Sequence, residues 1–326
     1  MLPIEEIGLA ALFALAFANG ANDAGKSVAS LMMPGPSGSP PRKRKPLVWG
    51  GFFTGIGSVA AILISGRLFS VFTPQSLLRT TPEYSFVLAA LTGATLWILV
   101  ATIVRLPVSS THAIVGSMVL LGVYAFGTSG VQWDFLLYRV VLPLAGGPVA
   151  ALVAVYFLDR LTRRTGEPGK ERPRLMHAAH WGSGAATAFA RGINDAPKMA
   201  ALGAFFLLAN PSEAAWIPYS IVAVAVFFGS LALGHRVVVT AIGKHAPLDQ
   251  VQKSKAGAAT ALVVSAGAFL GAPMSTTQVH EGSSAGIGGR RKVIMSTLGR
   301  MLLPWLVTLP AAGILAIVVS YLEAMI

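Results

Sequence analysis

Long apolar runs alternate with short polar or basic segments along almost the whole of this chain. Runs of about 20 apolar residues have the length that an α-helix needs to cross a bilayer. The predicted spans are residues 4–33, 47–66, 85–104, 106–126, 138–158, 178–208, 214–233, 257–271, a stretch opened by 273–278, and 293–321. The pattern therefore predicts an all-α polytopic membrane protein with about 10–12 membrane segments.

Two of these spans carry polar and ionisable residues at matching positions in the middle. Residues 17–26 read FANGANDAGK, and residues 189–198 read FARGINDAPK. An ionisable group at the centre of a membrane helix costs roughly 2.5 to 3.5 kcal/mol on insertion scales. We expect the two helices to break at residues 20–23 and 192–195, and the repeated cost indicates a functional site.

The two motifs belong to a longer internal duplication. Asn22 and Asn194 are offset by 172 residues, and Ser109 and Ser275 are offset by 166. We expect a first repeat over 1–158, a basic cytoplasmic linker over 159–177 and a second repeat over 178–326. An odd number of spans in each repeat makes the duplication an inverted repeat, which is typical of secondary transporters that bind substrate at broken helices.

The charged residues lie in short segments between the apolar runs. The chain carries a net charge of +12, and 54% of its residues are hydrophobic and 12% charged. If the N-terminus lies outside the cell, 18 of the 25 basic residues fall in inside loops, as the positive-inside rule requires. The same assignment puts the C-terminus outside, and this distribution excludes nucleic-acid binding as the reason for the charge.

The first residues of the chain and its lack of cysteine narrow the possibilities further. The first residues lack a basic segment and carry Glu5 and Glu6 instead, so we interpret them as the start of the first membrane helix rather than a signal peptide. The chain has no cysteine, which excludes disulfides and thiolate metal sites.

Two Ser/Thr clusters resemble helix starts. Residues 107–112 read PVSSTH and residues 273–278 read PMSTTQ. The candidate substrate-binding residues in them are Ser109, Ser110, Thr111, Ser275, Thr276 and Thr277. A helix N-terminus offers free N–H groups and a positive dipole end, which suit an oxyanion. The inverted repeat would let the two N-termini face each other, whereas ordinary helix capping explains one cluster alone.

The acidic residues of the two motifs are candidates for the coupling element. Oxygen atoms of Asn22, Asp23, Asn194 and Asp195 suit Na⁺ as hard ligands, and protonation of the same carboxylates suits H⁺ coupling. The alternative is that the acids cap the helix breaks, with the lysine three residues later as a counter-ion.

Three basic residues accompany the acids. Lys26 and Lys198 follow their aspartates on the same helix face, where they either neutralise the acid or contact the substrate. Arg191 has no basic counterpart in the first motif; it either binds an oxyanion or pairs with Glu281. His280 is interpreted as a hydrogen-bonded structural residue or a proton relay.

Taken in order, the segments GAND at 20–23, PVSSTH at 107–112, GIND at 192–195 and PMSTT at 273–277 resemble the signatures of the inorganic phosphate transporter (PiT) family. That family includes sodium-phosphate symporters and sulfate permeases. The resemblance covers both halves of the chain. It implies an inverted-repeat membrane fold, often dimeric, that imports phosphate by symport with Na⁺ or H⁺. It also implies that the Asn-Asp pairs and the Ser/Thr clusters form the substrate and cation sites.

The chain departs from the family pattern at Lys26, where relatives commonly have Asn. An ammonium at a position that otherwise supplies an oxygen ligand stands in for a metal ion. We therefore hypothesise that one Na⁺ site is missing and that coupling to Na⁺ is weaker or replaced by H⁺.

Other functions fit the residues less well. A sulfate permease of the same fold is the main alternative, but sulfate only accepts hydrogen bonds, whereas phosphate also donates to ionised aspartates. A membrane phosphatase would need a nucleophile and a base, and the sequence shows no such pair, so we expect no enzyme activity and no cofactor beyond a bound Na⁺. A channel would not need buried acid-base pairs in both repeats.

Overall fold

The computed structural model describes residues 3–32, 44–163, 173–207, 216–242, 248–288 and 291–325. Within these ranges the regular elements are helical, apart from one isolated bridge between Leu78 and Val131, so the predicted all-α class is confirmed. In chain order the α-helices α1 to α14 are Ile4–Asn19, Gly25–Ser27, Arg44–Ile64, Gly66–Val71, Pro74–Leu77, Tyr84–Ile103, Ser110–Phe126, Trp133–Leu136, Leu142–Arg163, Pro173–Ala204, Trp216–Ile242, Gln250–Leu270, Thr276–Gly288 and Arg291–Glu323.

Apolar length identifies a membrane protein. Within the described ranges, six helical stretches are long and apolar enough to cross a bilayer, and α7 is a shorter apolar helix. The six stretches are Ile4–Ser27, Arg44–Ile64, Tyr84–Ile103, Trp133–Thr162, Trp216–Val238 and Leu306–Glu323. The total of about 10–12 segments and the inverted threading of the two repeats stay predictions.

At the first predicted break, residues 20–23, the helix is not interrupted but changes its hydrogen-bond pattern. Gly20–Ala24 forms a π-helical segment between α1 and α2, and a 3₁₀ turn at Ala29–Met32 follows. A π segment shifts the hydrogen-bond pattern by one residue, so backbone groups and side chains at this level point where a regular helix would not place them.

The predicted break at 192–195 is wrong, because α10 runs without interruption from Pro173 to Ala204. Pro197 has no N–H group, which leaves the carbonyl oxygen of Ile193 without its helical donor. The hydroxyl of Ser65 donates to that oxygen at 3.0 Å. A side chain from the end of α3 therefore replaces the missing hydrogen bond and allows the helix to continue.

The two Ser/Thr clusters each open a helix, as predicted, and each lies at the turn of a helical hairpin. The first hairpin consists of α6 and α7, and its turn, residues 104–109, is named the first tip. The second hairpin consists of α12 and α13, and its turn, residues 271–275, is named the second tip. Helix α13 has 13 residues, which at 1.5 Å per residue is too short to cross the roughly 30 Å hydrocarbon core.

The two halves of the chain are interlocked. The first hairpin packs against α14, the last helix of the second half, and the second hairpin packs against α9, the last helix of the first half. In addition, α3 packs against both α10 and α11, and α1 packs against α11. Each half therefore contributes helices that complete the packing of the other half.

Glycines allow the closest of these helix crossings. A Cβ on Gly57 would lie 2.1 Å from the carbonyl oxygen of Phe189, and one on Gly192 would lie 2.2 Å from that of Thr54. Backbones approach this closely only where the side chain is absent, as in membrane helix pairs with small residues at the interface.

The same crossing occurs a second time. A Cβ on Gly20 would lie 2.2 Å from the carbonyl oxygen of Val226, and one on Gly229 would lie 2.0 Å from that of Phe17. Gly20 and Gly192 are 172 residues apart, and so are Gly57 and Gly229, which is the offset of the duplicated motifs. The sequence duplication therefore extends to the way the helices touch.

Some of the charged residues from which the membrane orientation is predicted lie outside the described ranges. They fall within residues 42–43, 164–172, 213, 244 and 290. The division into repeats over 1–158 and 178–326 with a linker over 159–177 stays a prediction.

The glycine crossing predicts a position-specific effect of a single methyl group. In Gly192→Ala the new methyl meets backbone atoms of α3, and overpacking of this kind costs about 1–3 kcal/mol, so the thermal midpoint in detergent should fall. The matched control is Gly182→Ala on the same helix, where a Cβ meets nothing within 4 Å. Equal thermal midpoints for the two variants would show that the helices at the crossing can move apart enough to accommodate a methyl group.

Candidate functional site

The site lies where the two tips meet the polar segments of α1–α2 and α10. Each asparagine of the duplicated motif holds the tip of its own half through a pair of backbone contacts. The side chain of Asn22 accepts from the N–H of Val108 at 3.1 Å and donates to the carbonyl of Leu106 at 3.1 Å. Asn194 accepts from the N–H of Met274 at 3.1 Å and donates to its carbonyl at 2.8 Å.

The lysines connect the two tips to each other. Lys26 Nζ donates to the carbonyl of Val108 at 2.6 Å in the first tip and to Thr277 Oγ1 at 3.1 Å beside the second. Lys198 Nζ donates to the carbonyl of Met274 at 3.0 Å in the second tip and to Thr111 Oγ1 at 2.7 Å beside the first. Exchanging the two halves converts one set of contacts into the other.

These contacts bring the starts of α7 and α13 together. Each ammonium group bonds one tip and the first turn of the opposite helix, so the two helix N-termini lie close together. The side chains of Ser109, Ser110, Thr111, Ser275 and Thr276 are buried there, and Thr277 is half-buried. The Ser/Thr clusters are thus adjacent in space although 166 residues separate them in the chain.

Each aspartate is bonded to the lysine that follows it. Asp23 Oδ1 lies 2.5 Å from Lys26 Nζ, and Oδ2 accepts from Ser110 Oγ at 3.1 Å and from Asn19 at 3.3 Å. Both oxygens of this buried carboxylate are therefore occupied by donors of the protein.

The second aspartate is only half satisfied. Asp195 Oδ1 accepts from Lys198 Nζ at 3.1 Å and from Asn194 at 2.8 Å. Its other oxygen, Oδ2, is buried and has no hydrogen-bond partner among the described residues. A buried carboxylate oxygen without a donor is unfavourable, so this oxygen is available to a ligand that can donate.

Arg191 crosses from α10 to the π segment. It is 1% exposed, and its Nη1 donates to the backbone carbonyl of Asp23 and lies 3.5 Å from Asp23 Oδ1. This contact adds to the two hypotheses from the sequence, an oxyanion or Glu281, which stay predictions, and it places a third positive charge beside the first aspartate. Its Nε has no partner among the described residues, which leaves one donor of the guanidinium for a further contact.

The first turn of the second helix in each hairpin carries hydrogen-bond donors. Ser109 caps α7, since its Oγ accepts from the N–H of His112 at 3.4 Å. The remaining first-turn N–H groups of α7 and α13 have no acceptor within their own helix. The buried Ser275 hydroxyl also lacks a partner among the described residues. Free N–H groups and a free hydroxyl at two helix N-termini are donors that suit an oxyanion.

Sequence reasoning missed two contributors. Asn19 donates to Ser110 Oγ at 2.7 Å as well as to Asp23, and Thr102 accepts from Asn22 at 2.9 Å. The sequence does contain a signal for Asn19, because a side-chain amide inside an apolar span needs a hydrogen-bond partner. Thr102 could not be identified, since a threonine in a membrane helix usually bonds its own backbone, as it also does here to Ile98.

The remaining candidates lie nearby or have partners in the protein. His280 is in hydrogen-bond distance of Thr260 Oγ1 at 3.3 Å, in keeping with a structural role. Among the described residues, no group of three His, Cys, Asp or Glu side chains could hold a metal ion. The described chain therefore offers the buried Asn-Asp pairs, rather than a multi-carboxylate cage, for any cation.

Comparison with known proteins gives a consistent result. The sequence model of the phosphate transporter family matches residues 19–170 and 158–316. A protein of Mycobacterium tuberculosis named "Probable low-affinity inorganic phosphate transporter" is 33% identical over 248 residues, which are 70% of this chain and 57% of the relative. The chain thus aligns with just over half the length of its mycobacterial relative.

A second relative and a solved structure cover more of the chain. A Rhizobium meliloti protein of the same name is 29% identical over 318 residues, covering 92% of this chain and 90% of the relative. A solved structure titled "The sodium-dependent phosphate transporter" superposes with a TM-score of 0.83 over 99% of both chains at 20% identity. At that identity the superposition establishes the similarity of the fold.

Proposed function

The chain belongs to the phosphate transporter family, and from this premise we propose that it is a secondary active transporter that imports inorganic phosphate together with Na⁺ or H⁺. The observation that carries the proposal is the joint presence of anion donors and neutralised carboxylates between the two tips. A soluble anion needs such a site to replace its hydration shell inside a membrane. The relatives named above are transporters by name, in keeping with a protein that is not an enzyme.

The proposed substrate site lies between the N-termini of α7 and α13. Its donors are the first-turn N–H groups and the hydroxyls of the two Ser/Thr clusters, with Asn22, Asn194 and Arg191 around them. The proposed coupling residues are Asp23 and Asp195, the only carboxylates in the described chain that are buried to this degree. Transport then follows from exposing this shared site alternately to the two sides of the membrane.

Asp195 favours phosphate over sulfate as the substrate. Its Oδ2 is a buried acceptor without a donor beside the second tip. Protonated phosphate carries hydroxyl groups that can donate to this oxygen, whereas sulfate at neutral pH has acceptors only. Facing an unpaired carboxylate oxygen, sulfate would leave two acceptors together in a buried site, which costs about 1–3 kcal/mol. A sulfate permease is therefore the second candidate.

The first test is uptake of radiolabelled phosphate into proteoliposomes under an inward Na⁺ or H⁺ gradient. We expect uptake above that of empty liposomes, with unlabelled phosphate competing and equimolar sulfate having little effect. Asp195→Asn should reduce gradient-driven uptake at least about tenfold, because a hydrogen bond to a charged group contributes roughly 1.5–3 kcal/mol. Asp23→Asn should do the same. Phosphate exchange by Asp195→Asn separates lost coupling from misfolding, and equal competition by sulfate would instead favour a sulfate permease.

A second test addresses the hydroxyl without a partner. Ser275→Ala should raise the KM for phosphate at least about tenfold with little change in maximal rate, since a hydroxyl bond to a charged ligand contributes roughly 1.5–3 kcal/mol. The control is Ser283→Ala in α13, the helix that follows Ser275, because the buried Ser283 hydroxyl already accepts from Thr260 Oγ1 at 3.1 Å. If both variants keep the KM of the unmodified protein, Ser275 does not contact phosphate.

The proposed location is the cell membrane, with both termini outside. The absence of cysteine makes labelling direct, because each introduced cysteine is the only thiol in the chain. We expect Glu6→Cys and Met325→Cys to react with a membrane-impermeant maleimide in intact cells, and Arg174→Cys to react only after permeabilisation. Labelling of Arg174→Cys but not of Glu6→Cys in intact cells would reverse the orientation, and labelling of both would contradict the inverted threading.

A further inference from the structure

The two lysines at the site share one pattern of contacts. An ammonium group has three N–H donors. Lys26 Nζ meets three oxygens, one carboxylate, one carbonyl and one hydroxyl, at 2.5, 2.6 and 3.1 Å. Lys198 Nζ meets the same three kinds of oxygen at 3.1, 3.0 and 2.7 Å. Both ammonium groups therefore have all their donors engaged by the protein, and neither retains a free donor for a phosphate oxygen.

The oxygens around each ammonium form a set that also suits a small metal cation. Carboxylate, carbonyl and hydroxyl oxygens are hard ligands of the kind that bind alkali and alkaline-earth ions. In both places the nitrogen of the lysine occupies the centre of the set. Lys26 is 7% exposed and Lys198 is 1% exposed, so these centres are closed to exchange with bulk ions in this conformation.

From this geometry we propose that Lys26 and Lys198 are resident cations that take the place of Na⁺, so that phosphate transport by this protein does not require sodium. The inference rests on the proposed transport of phosphate and identifies which groups balance the carboxylates in place of Na⁺. It extends the sequence hypothesis from one missing Na⁺ site to two, because Lys198 has the same ligand set as Lys26.

The charge balance of the site supports the same conclusion. The buried charged side chains of the described residues are Asp23, Asp195, Lys26, Lys198 and Arg191, with a formal sum of +1. Two unpaired carboxylates would repel an incoming anion strongly in a medium of low dielectric constant, and a carrier built in that way would need bound cations first. Here the two carboxylates are neutralised by lysines of the protein before any ion arrives.

The lysines also take over the structural task of a bridging ion. A metal ion between two tips would hold them together through shared ligands. Each lysine does this through hydrogen bonds, because its nitrogen donates to one tip carbonyl and to one hydroxyl beside the opposite tip. Binding of phosphate can therefore begin at tips that are already joined.

The decisive experiment compares phosphate uptake by the unmodified protein in proteoliposomes when external Na⁺ is replaced by choline. We expect the initial rates in Na⁺ and in choline to agree within about twofold. Na⁺ that has no binding site on the protein cannot favour one conformation of the protein over another. Uptake that falls more than about tenfold in choline would overturn the proposal. If uptake is absent in every salt, the proposed function fails, and the binding measurement below judges the lysines independently.

The binding measurement uses thermal unfolding of the purified protein in detergent, with Na⁺ or choline at the same ionic strength. Unmodified protein should show the same midpoint in both salts. Lys26→Asn and Lys198→Asn remove an ammonium and leave an oxygen ligand, so Na⁺ should raise their midpoints by about 2 °C or more. The matched control is Lys255→Asn, which breaks a lysine–carboxylate pair with Asp159 at 2.9 Å outside the site.

Two results of that measurement would contradict the proposal. Stabilisation of the unmodified protein by Na⁺ would show that a sodium site exists beside the lysines. Equal Na⁺ responses of Lys26→Asn, Lys198→Asn and Lys255→Asn would show that the effect belongs to loss of any lysine rather than to these two positions.

Discussion

The structure depends on the neutralisation of two carboxylates in the interior of a membrane protein. Asp23 and Asp195 are 2% and 3% exposed, and an uncompensated charge at that depth would be strongly unfavourable. The chain places a lysine three residues after each acid, so helix geometry alone brings the counter-charge into contact. Because each lysine also bonds one hairpin tip and a hydroxyl beside the other, the groups that balance the charge also hold the two hairpins together.

The glycine crossings show how the rest of the chain keeps these groups in register. Gly20 and Gly192 lie in the two polar motifs themselves, and each is in backbone contact with a helix of the other half. The hairpins contain the same kind of contact. A Cβ on Gly116 would lie 2.3 Å from the carbonyl oxygen of Leu309, and one on Gly282 would lie 2.3 Å from that of Pro148. Close backbone packing is rigid, and in the two polar motifs it involves glycines only a few residues from the asparagines and lysines that bond the tips.

Much of this organisation could be predicted from the sequence, and the exceptions have physical causes. The hairpin starts were predictable because Ser/Thr caps after a proline are local signals, and the duplication showed which motifs correspond. The break at 192–195 was predicted wrongly, because Ser65, which bonds Ile193, lies 128 residues away. The exchange of lysine partners between halves was not predictable either. Helix spacing pairs Lys26 with Asp23, but no local rule connects it to Thr277.

The interlocked packing has a consequence for how the chain is made. The first hairpin, α6 and α7, rests on α14, which is synthesised well after it. Until α14 has been made, Gly116 and its neighbours have lipid or the insertion machinery beside them instead of their final partner. The first hairpin therefore completes its packing only after a helix of the other half has been inserted, so the order in which these helices assemble differs from their order in the chain.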